Sequence, residues 1–436
     1  MRSSVFGQRN LWLAVIFFVV AMSELAAQTP VNFKIAFIGD QGAGSRARSV
    51  LNLIKAEGAQ LVMHQGDFDY NDDPAAWDAQ IDNILGSNFP YFASIGNHDE
   101  DRWSGANGYQ QFLMSRLTRL GITWNGNLGV LSSLYYKGIF IILVGPGVMG
   151  SGHAAYIKNK LAADKSLWSI CSWHKNMRAM QVGGKSDETG WPVYEESRQG
   201  GAIIATGHEH SYSRTHLLSS CQNQIVASTS DTLVLTKDDS STAGDESRSF
   251  VFVSGLGGNS IRDQERCLPA TPPYGCKGEW ASIYTSNQGA NYGALFGIFN
   301  LNGVPNMAKF YFKDIDGVVP DSFVVISKVE DVRTAVDATA VESAVEFILE
   351  QNYPNPFNPS TTIRFRLARP QRTKLIVANL LGEQVRVLFD GDLAEGEHVM
   401  VWDGRGGDGS KMSSGSYLLQ LESSRQILTK KVLLLK

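Results

Sequence analysis

Five apolar segments of this chain each end in side chains that can bind a cation or transfer a proton. The segments are rich in β-forming residues, and four of the eight histidines follow directly after them. In open α/β sheets, ligands bind in the crevice beyond the carboxyl ends of the strands. The spacing therefore predicts a shared crevice formed by Asp40, Asp67, Tyr70, Asn97, His98, Asp99, His174, His208 and His210.

The stretch "LVMHQGDFDYND" shows why a cation is expected in that crevice. Asp67, Asp69 and Tyr70 fall within four residues after a glycine, at the end of an apolar run. An Asp-rich turn alone is usually a solvated loop, and any one short motif has a high false-positive rate. Five such ends in one chain would require five coincidences, so the pattern favours a bound metal.

The elements expected to position these groups alternate between strands and helices. "KIAFIGD" has the β-forming run of a buried strand, and "SRARSVLNLIKAEGA" has apolar residues at helical spacing. "DDPAAWDAQIDNILG" offers an aspartate N-cap and a proline in the first helical turn. This alternation predicts βαβ units and a parallel start to the sheet. Later runs have less helix between them, which predicts a mixed sheet or two packed sheets.

Length and composition predict two domains behind a short targeting segment. Arg2 and Arg9, an apolar run too short to span a bilayer and small residues at a cleavage point are typical of a signal peptide. The final segment has six or so short strands, separated by turn residues, as in a β-sandwich. We therefore expect a signal peptide at 1–27, an α/β domain at 28–329, a linker at 330–345 and an all-β domain at 346–436.

Composition also limits location and partners. The net charge of −4 and pI near 6.1 leave no strongly basic nucleic-acid-binding surface evident. Outside the signal peptide no segment is long enough to cross a membrane. The mature chain is expected to lack a transmembrane segment and to be secreted or held at the cell surface, via the periplasm.

Four cysteines in an exported chain permit disulfides, in three possible pairings. Cys267 and Cys276 bracket a turn-rich loop that a bridge could close. Cys171 lies in an apolar strand and is expected to be a small buried core residue.

Five motifs resemble, in order, those of the purple acid phosphatases within the binuclear metallophosphoesterases. They are "GD" at 39–40, "GDFDY" at 66–70, "GNHD" at 96–99, "CSWH" at 171–174 and "GHEH" at 207–210. The resemblance covers residues 31 to about 327 and implies two mixed β-sheets flanked by helices. Most metallophosphoesterases begin with a DxH motif, but Gly42 stands at that histidine position. The resemblance implies that Tyr70 is the replacement ligand, as in purple acid phosphatases.

The resemblance implies two metal ions per chain. The first, Fe³⁺, suits a hard phenolate donor and would be bound by Asp40, Asp67, Tyr70 and His210. The second, Zn²⁺, Fe²⁺ or Mn²⁺, would be bound by Asp67, Asn97, His174 and His208. Asp67 would bridge the ions, whose charge would compensate the acidic cluster.

The activity implied is hydrolysis of phosphate monoesters in small phosphorylated substrates by a metal-bound hydroxide. His98 is the expected catalytic residue, with Asp99 or another carboxylate fixing its tautomer; a purely supporting role for His98 is the alternative. A phosphodiesterase or nucleotidase could use the same metal site. An adhesion protein that keeps the fold without catalysis is the alternative from another class.

The chain departs from the plant members of that family after the fourth motif. Those members carry two further substrate-binding histidines there, and this chain has none. Lys175, Arg178 and Lys185 either meet a phosphate instead or are solvated surface charges.

The closing segment, with "NYPNPFNPSTTIRF" early and "SGSYLLQLESSRQILTKKVLLLK" at its end, resembles the C-terminal sorting domains of type IX secretion substrates. These are small Ig-like sandwiches. The resemblance implies that the outer-membrane secretion machinery is a partner of residues 346–436. A domain that binds carbohydrate or another protein is the alternative.

Overall fold

The computed structural model describes residues 28–238, 246–329, 347–349, 352, 354–367, 369–379, 384–422 and 427–435. The predicted signal peptide and linker lie outside the described residues. Two compact units are present. The first comprises the described residues up to Lys160 and the segment Trp168–Ile326. The second comprises Leu161–Leu167 and the described residues from Ser327 onward. None of the helices in the described ranges is long and apolar enough to cross a membrane.

The first unit is built on two mixed β-sheets and one two-stranded sheet. Its strands are β1 (Phe33–Ile38), β2 (Leu61–His64), β3 (Tyr91–Ala93), β4 (Asn125–Asn127), β5 (Leu131–Tyr136), β6 (Ile139–Val144), β7 (Trp168–Ser172), β8 (Ile203–Thr206), β9 (Tyr212–Thr215), β10 (Leu217–Ser220), β11 (Ile225–Ser228), β12 (Thr232–Leu235), β13 (Val251–Ser254), β14 (Trp280–Tyr284), β15 (Gly293–Leu301), β16 (Val304–Asp314) and β17 (Asp321–Ser327). The seven-stranded sheet has the order β12-β17-β16-β15-β1-β2-β3, and the eight-stranded sheet has the order β14-β9-β13-β8-β7-β6-β5-β4. Strands β10 and β11 pair with each other.

The two helices that the sequence predicts, in "SRARSVLNLIKAEGA" and "DDPAAWDAQIDNILG", are both present, together with four others in the described residues. They are α1 (Ser45–Ala56), α2 (Pro74–Ile84), α3 (Glu100–Trp103), α4 (Tyr109–Arg119), α5 (His153–Ala163) and α6 (Trp191–Gln199), with 3₁₀ turns at Arg178–Met180 and Ser286–Gln288. Helix α1 buries Val50, Leu51 and Ile54 on one face. At the start of α2, the Asp73 side chain accepts a 3.0 Å hydrogen bond from the backbone N–H of Ala76.

The strands that lead to the candidate residues run parallel to one another. Strands β1, β2 and β3 are parallel in the seven-stranded sheet, and β6, β7, β8 and β13 are parallel in the eight-stranded sheet. Parallel neighbours end at the same edge of a sheet, so the loops that follow them lie side by side. The prediction of two mixed sheets with a parallel start is confirmed.

Aromatic packing and a buried ion pair join the two sheets. Phe37 on β1 meets Phe252 on β13 edge to face, with ring centroids 5.2 Å apart. Arg214 on β9 donates hydrogen bonds of 2.7 and 2.9 Å to Asp321 on β17, and the Tyr212 hydroxyl donates to the same carboxylate at 2.7 Å. Because both charges are buried, loss of either partner would leave an uncompensated charge. The pair therefore fixes β9, which directly follows the last histidine motif.

The second unit contains β strands only among its described residues from 347 onward. They are β18 (Phe347–Leu349), β19 (Thr361–Leu367), β20 (Gln371–Ala378), β21 (Gln384–Leu393), β22 (Gly396–Trp402), β23 (Gly415–Glu422) and β24 (Ile427–Leu434). They form sheets of order β18-β19-β22 and β21-β20-β23-β24. Ile363, Phe365 and Leu367 alternate along β19 and pack with Trp402 in the core. The all-β class is confirmed, and the domain boundaries stay a prediction.

The cysteines behave as their sequence context indicates. Cys267 and Cys276 form a disulfide, with Cα atoms 4.7 Å apart. Cys171 is buried in β7, as predicted, and Cys221 is also buried. Cys267 packs with Val182, Trp280 and Ile283 in a small apolar cluster. The bridge therefore anchors a local core as well as its own loop.

Candidate metal centre

The seven predicted metal ligands and His98 lie at one edge of the first unit, where the parallel strands of both sheets end. Asp40 follows β1, and the others follow β2, β3, β7 and β8: Asp67 and Tyr70, Asn97 and His98, His174, then His208 and His210. Both aspartates and the histidines that follow β7 and β8 are buried. Residues distant in the chain are thus brought together by strand topology.

Four of these residues have backbones in the left-handed region. The φ angles are 56° at Asp40, 61° at Asp67, 59° at Tyr70 and 70° at His208. A non-glycine residue adopts such an angle at a cost in free energy, and it persists only where the surroundings fix it. Four neighbouring cases therefore point to a functional site.

Asp40, Tyr70 and His210 form the first group of ligand atoms. The Tyr70 hydroxyl donates to Asp40 Oδ1 at 2.9 Å and lies 3.1 Å from His210 Nε2. His210 Nε2 is also 3.1 Å from Asp40 Oδ1. The other ring nitrogen of His210, Nδ1, contacts the Ser260 hydroxyl. This contact orients the ring so that Nε2 faces the oxygens of Tyr70 and Asp40. A carboxylate, a phenol and an imidazole converge here.

Asp67, Asn97, His174 and His208 form the second group. His174 Nε2 lies 3.3 Å from Asp67 Oδ2, 3.2 Å from Asn97 Oδ1 and 3.0 Å from His208 Nδ1. The Gln65 carbonyl lies 2.7 Å from His174 Nδ1 and holds the ring in this orientation. Asp67, His174 and His208 each offer one ligand atom, all within 4.8 Å of one another. This spacing is compatible with a metal ion.

Backbone contacts connect the two groups. The His208 N–H donates to Asp40 Oδ2 at 2.9 Å, and the Asp40 N–H donates to the Gly66 carbonyl at 3.0 Å. A Cβ atom on Gly96 would lie 2.2 Å from an Asp67 carboxylate oxygen. No side chain fits at that glycine without displacing a candidate ligand.

His98 lies at the solvent-facing side of the centre. Its side chain is exposed, and its ring centroid is 4.8 Å from that of Tyr70. Its backbone N–H donates to Asp67 Oδ1 at 2.9 Å. The imidazole is thus tied to the ligand loop by its main chain and remains accessible to a substrate.

Asp99 does not take the orientation suggested for it as a partner of the His98 ring. Its buried carboxylate accepts hydrogen bonds from the backbone N–H groups of Asp67, Phe68 and Gly96, at 2.9, 2.9 and 2.7 Å. Buried N–H groups require acceptors, and this short side chain is within reach of three. Asp99 therefore shapes the loop that carries Asp67. Burial and the charge of Asp67 raise the pKa of Asp99 to about 7.

The pKa values of the site residues reflect two opposing effects. Burial disfavours the charged form of each group, and a nearby group of opposite charge favours it. Burial raises the pKa of Asp67 and Asp40, but His174 and His210 respectively outweigh it, so both pKa values are lowered. Burial lowers the pKa of His174, and the charge of Asp67 reverses this and raises it to about 9. Burial and the charge of Asp40 raise the pKa of the Tyr70 phenol. A cation among these oxygens would favour the phenolate instead.

Glu188 is a component of the centre that sequence reasoning missed. Its carboxylate lies 2.9 Å from His208 Nε2 and 3.1 Å from Lys175 Nζ. An imidazole that donates one N–H to a carboxylate presents its other nitrogen as a ligand. Here that nitrogen is His208 Nδ1, which faces His174. No motif surrounds Glu188 in the sequence, so no local signal could have identified it.

The three cations after the fourth motif have different surroundings. Lys175 pairs with Glu188, and Arg178 is exposed. Lys185 Nζ lies 3.1 and 3.0 Å from the two ring nitrogens of His208. Of the three, Lys185 reaches a candidate ligand directly, and its interpretation as mere surface charge is therefore disfavoured.

The donor set fits a pair of cations. It combines hard oxygen atoms from carboxylates, a phenol and an amide with imidazole nitrogens, the ligands of Fe³⁺, Zn²⁺, Fe²⁺ and Mn²⁺. Asp40 and Asp67 are buried, and buried carboxylates require compensating positive charge. The assignment of each residue to one ion stays a prediction.

Comparison with known families agrees with this geometry. Residues 33–212 match the family model described as Calcineurin-like phosphoesterase, and residues 355–426 match the one described as FlgD Ig-like domain. No curated protein matches the chain. The chain thus carries a calcineurin-like metallophosphoesterase domain followed by an all-β Ig-like domain, and the predicted fold class is confirmed.

Several solved structures are similar to parts of this chain. The structure of purple acid phosphatase PPD1 from yellow lupin (Lupinus luteus) seeds is similar, with 16% identity and a TM-score of 0.50 over 71% of this chain and 55% of that chain. This chain thus covers about half the length of the lupin protein. A structure of PhoD has 11% identity and a TM-score of 0.40, over 72% and 77% of the respective chains. FlgD from P. aeruginosa has 21% identity and a TM-score of 0.14, over 17% and 58%.

Proposed function

From the calcineurin-like metallophosphoesterase domain at residues 33–212, we propose that this protein is a metal-dependent phosphomonoesterase of the purple acid phosphatase type. The observation that carries the proposal is the position of Tyr70. Its hydroxyl lies 2.9 Å from Asp40 Oδ1 and 3.1 Å from His210 Nε2. A phenol among the ligand atoms distinguishes this type from metallophosphoesterases that use a DxH histidine.

The donor atoms also support a proposal for the identity of the metals. A phenolate with a carboxylate and an imidazole is suited to Fe³⁺, and the group around His174 is suited to Zn²⁺, Fe²⁺ or Mn²⁺. Such a pair of ions, when bound, supplies Lewis-acid activation of water and of the phosphoryl group. Asp67 is the proposed bridging ligand, because its carboxylate contacts His174 and its charge acts to raise the pKa values of Asp40 and Tyr70.

The protein's own groups would handle the substrate from the open side. His98 is exposed and packs beside Tyr70, so its imidazole can donate a proton to the departing alkoxide oxygen. A cleft of about 290 Å³ also borders Tyr70, between Asn259 and the first turn of α1. That cleft offers space for the organic part of an ester.

The test compares an aryl phosphate monoester with the matching diester, using purified full-length protein and measuring kcat/KM and bound metal. A strong monoester preference with two metals per chain is the expected result. A diester preference would keep the metal centre and replace the monoesterase assignment with a phosphodiesterase or nucleotidase. Two bound metals without turnover of either ester would contradict the enzymatic proposal and favour a surface protein.

We further propose that the protein is exported through the periplasm and that residues 346–436 direct its passage across the outer membrane. The support is the signal-peptide pattern at residues 1–27 and the Cys267–Cys276 disulfide, which is typical of oxidising compartments. The experiment compares the full chain with a chain that ends at residue 345, both expressed in a host with type IX secretion. Periplasmic retention of the shortened chain is expected, and its efficient release to the medium would contradict the proposal.

A further inference from the structure

Lys185 has an unusual environment for a lysine beside a predicted metal ligand. Its ammonium lies 3.1 Å from Nδ1 and 3.0 Å from Nε2 of His208. The side chain is partly buried. Lysine is more often found extended into solvent, so its position over the His208 ring requires an explanation.

The His208 ring cannot accept hydrogen bonds from all three N–H groups of the Lys185 ammonium. A neutral imidazole has one donor nitrogen and one acceptor nitrogen, and an ammonium has three donors and no acceptor. Nε2 faces the Glu188 carboxylate at 2.9 Å, so it carries the proton. Nδ1 then remains as the acceptor, and it is directed at the centre beside His174. At least two N–H groups of Lys185 are therefore available for an incoming anion.

The loop that carries Lys185 is held in place by specific contacts. The carbonyl of buried Val182 accepts hydrogen bonds of 3.0 Å from the backbone N–H groups of both Glu265 and Arg266. The Gln181 side-chain amide donates to the Lys185 carbonyl at 2.9 Å. Val182 also packs against Cys267 of the disulfide. The ammonium is therefore positioned in advance, which lowers the entropic cost of using it to bind a ligand.

We propose that Lys185 binds a non-ester phosphoryl oxygen and makes the centre selective for phosphate monoesters. A monoester dianion offers three non-ester oxygens and two negative charges, whereas a diester offers two such oxygens and one charge. A cation beside the metal ligands therefore contributes more to binding the monoester. This inference rests on the proposed phosphoesterase function and assigns its substrate class to a named residue.

The test uses the full-length, metal-loaded protein and its Lys185→Met and Lys185→Arg variants. Lys185→Met keeps the length of the side chain and removes its charge, whereas Lys185→Arg keeps the charge. Lys158→Met serves as the matched control, because Lys158 is an exposed lysine paired with Glu196 on the surface. Each variant is assayed for kcat/KM on an aryl monoester and the matching diester, for metal content, and for binding of inorganic phosphate by calorimetry.

Lys185→Met is expected to lower kcat/KM for the monoester by about 10- to 100-fold, the worth of a hydrogen bond to a charged group. The diester value should fall by about threefold or less, and Lys185→Arg should recover most of the loss. The Kd for phosphate should rise about tenfold or more in Lys185→Met, with the metal content unchanged.

Equal losses for both esters, or unchanged phosphate binding, would overturn the inference while leaving the proposed activity intact. Lack of turnover in the unaltered protein would overturn the proposed activity instead. Phosphate binding would still decide the role of Lys185 in that case.

Discussion

The Tyr70 hydroxyl donates a 2.9 Å hydrogen bond to the Asp40 carboxylate, although the two residues follow different strands. Strands β1 and β2 are parallel neighbours, with Ile38 paired to His64. The two loops therefore leave the sheet side by side, and the phenol reaches across to the first aspartate. The sequence lacks a DxH histidine, and the Tyr70 phenol lies beside Asp40 instead. We therefore expect a phenolate ligand on the metal ion at this position.

Tyr70→Phe should remove the colour expected of a ferric phenolate centre. The substitution keeps the aromatic ring and deletes only the oxygen that lies between Asp40 and His210. The unaltered protein should absorb visible light and look purple or pink, and the variant should be colourless with less bound iron. Absorption spectra and metal analysis measure both effects.

Tyr156→Phe is the control for that substitution, since its hydroxyl contacts Ser133 and the Asn125 carbonyl away from the centre. It should leave the spectrum unchanged. Retention of the colour in Tyr70→Phe would refute the phenolate ligand, and a colourless unaltered protein with two zinc ions would refute the ferric assignment.

Glu188→Gln should weaken binding of the metal ion that His208 serves. The amide keeps the shape of the side chain but loses the charge that holds the His208 Nε2–H at 2.9 Å. Loss of such a supporting carboxylate typically lowers metal affinity by about 10- to 100-fold. Competition with a chelator measures the affinity of each ion, and the ion near Tyr70 should be much less affected.

Glu196→Gln is the matched control, because Glu196 pairs with Lys158 at the surface. An unchanged affinity for both ions in Glu188→Gln would show that the Glu188 contact does not orient His208.

The sequence was most informative about residues that directly follow apolar runs. The position of Asp40 after β1 or His174 after β7 could be predicted, because a run of β-forming residues marks where a strand ends. The role of Glu188 could not be predicted, because this residue lies 20 residues before His208 in a stretch without a periodic pattern. Its role depends on where the chain returns in three dimensions.

The orientation of a short side chain was equally inaccessible. "GNHD" placed Asp99 next to His98, and adjacency suggested a contact between them. The carboxylate instead meets three backbone N–H groups of the ligand loops. A buried N–H must find an acceptor, and which groups become buried is determined by tertiary packing.

Gly96→Ala should destabilise the ligand loop. The added Cβ would lie 2.2 Å from both the backbone nitrogen and a carboxylate oxygen of Asp67, so the loop must move. Overpacking of this kind costs about 1–3 kcal/mol of unfolding free energy, and displacement of Asp67 should also reduce the metal content. Gly44→Ala is the control, because a Cβ there has no atom within 4 Å. Equal melting temperatures and equal metal contents in the two variants would contradict the steric argument.

Protonation of Glu57 should make the first unit less stable in acid. Burial raises the pKa of Glu57, but hydrogen bonds from Lys313 and Tyr311 and the charge of Lys34 outweigh it, so the pKa lies below the ordinary 4.5. A group whose pKa is lowered by folding stabilises the folded state when ionised. That stabilisation is present above the unfolded pKa of 4.5 and is lost as the pH falls through the folded value.

Glu57→Gln should therefore lower the unfolding free energy at neutral pH by about 1 kcal/mol or less, since the side chain is partly exposed and solvent screens its ion pairs. Well below the folded pKa, where Glu57 is itself protonated, the difference between the two proteins should vanish. Calorimetric melting temperatures across this range measure the change, and any metal loss in acid affects both proteins alike. A difference that stays constant from neutral to acid pH would show that Glu57 acts through packing, because a packing contribution does not depend on protonation.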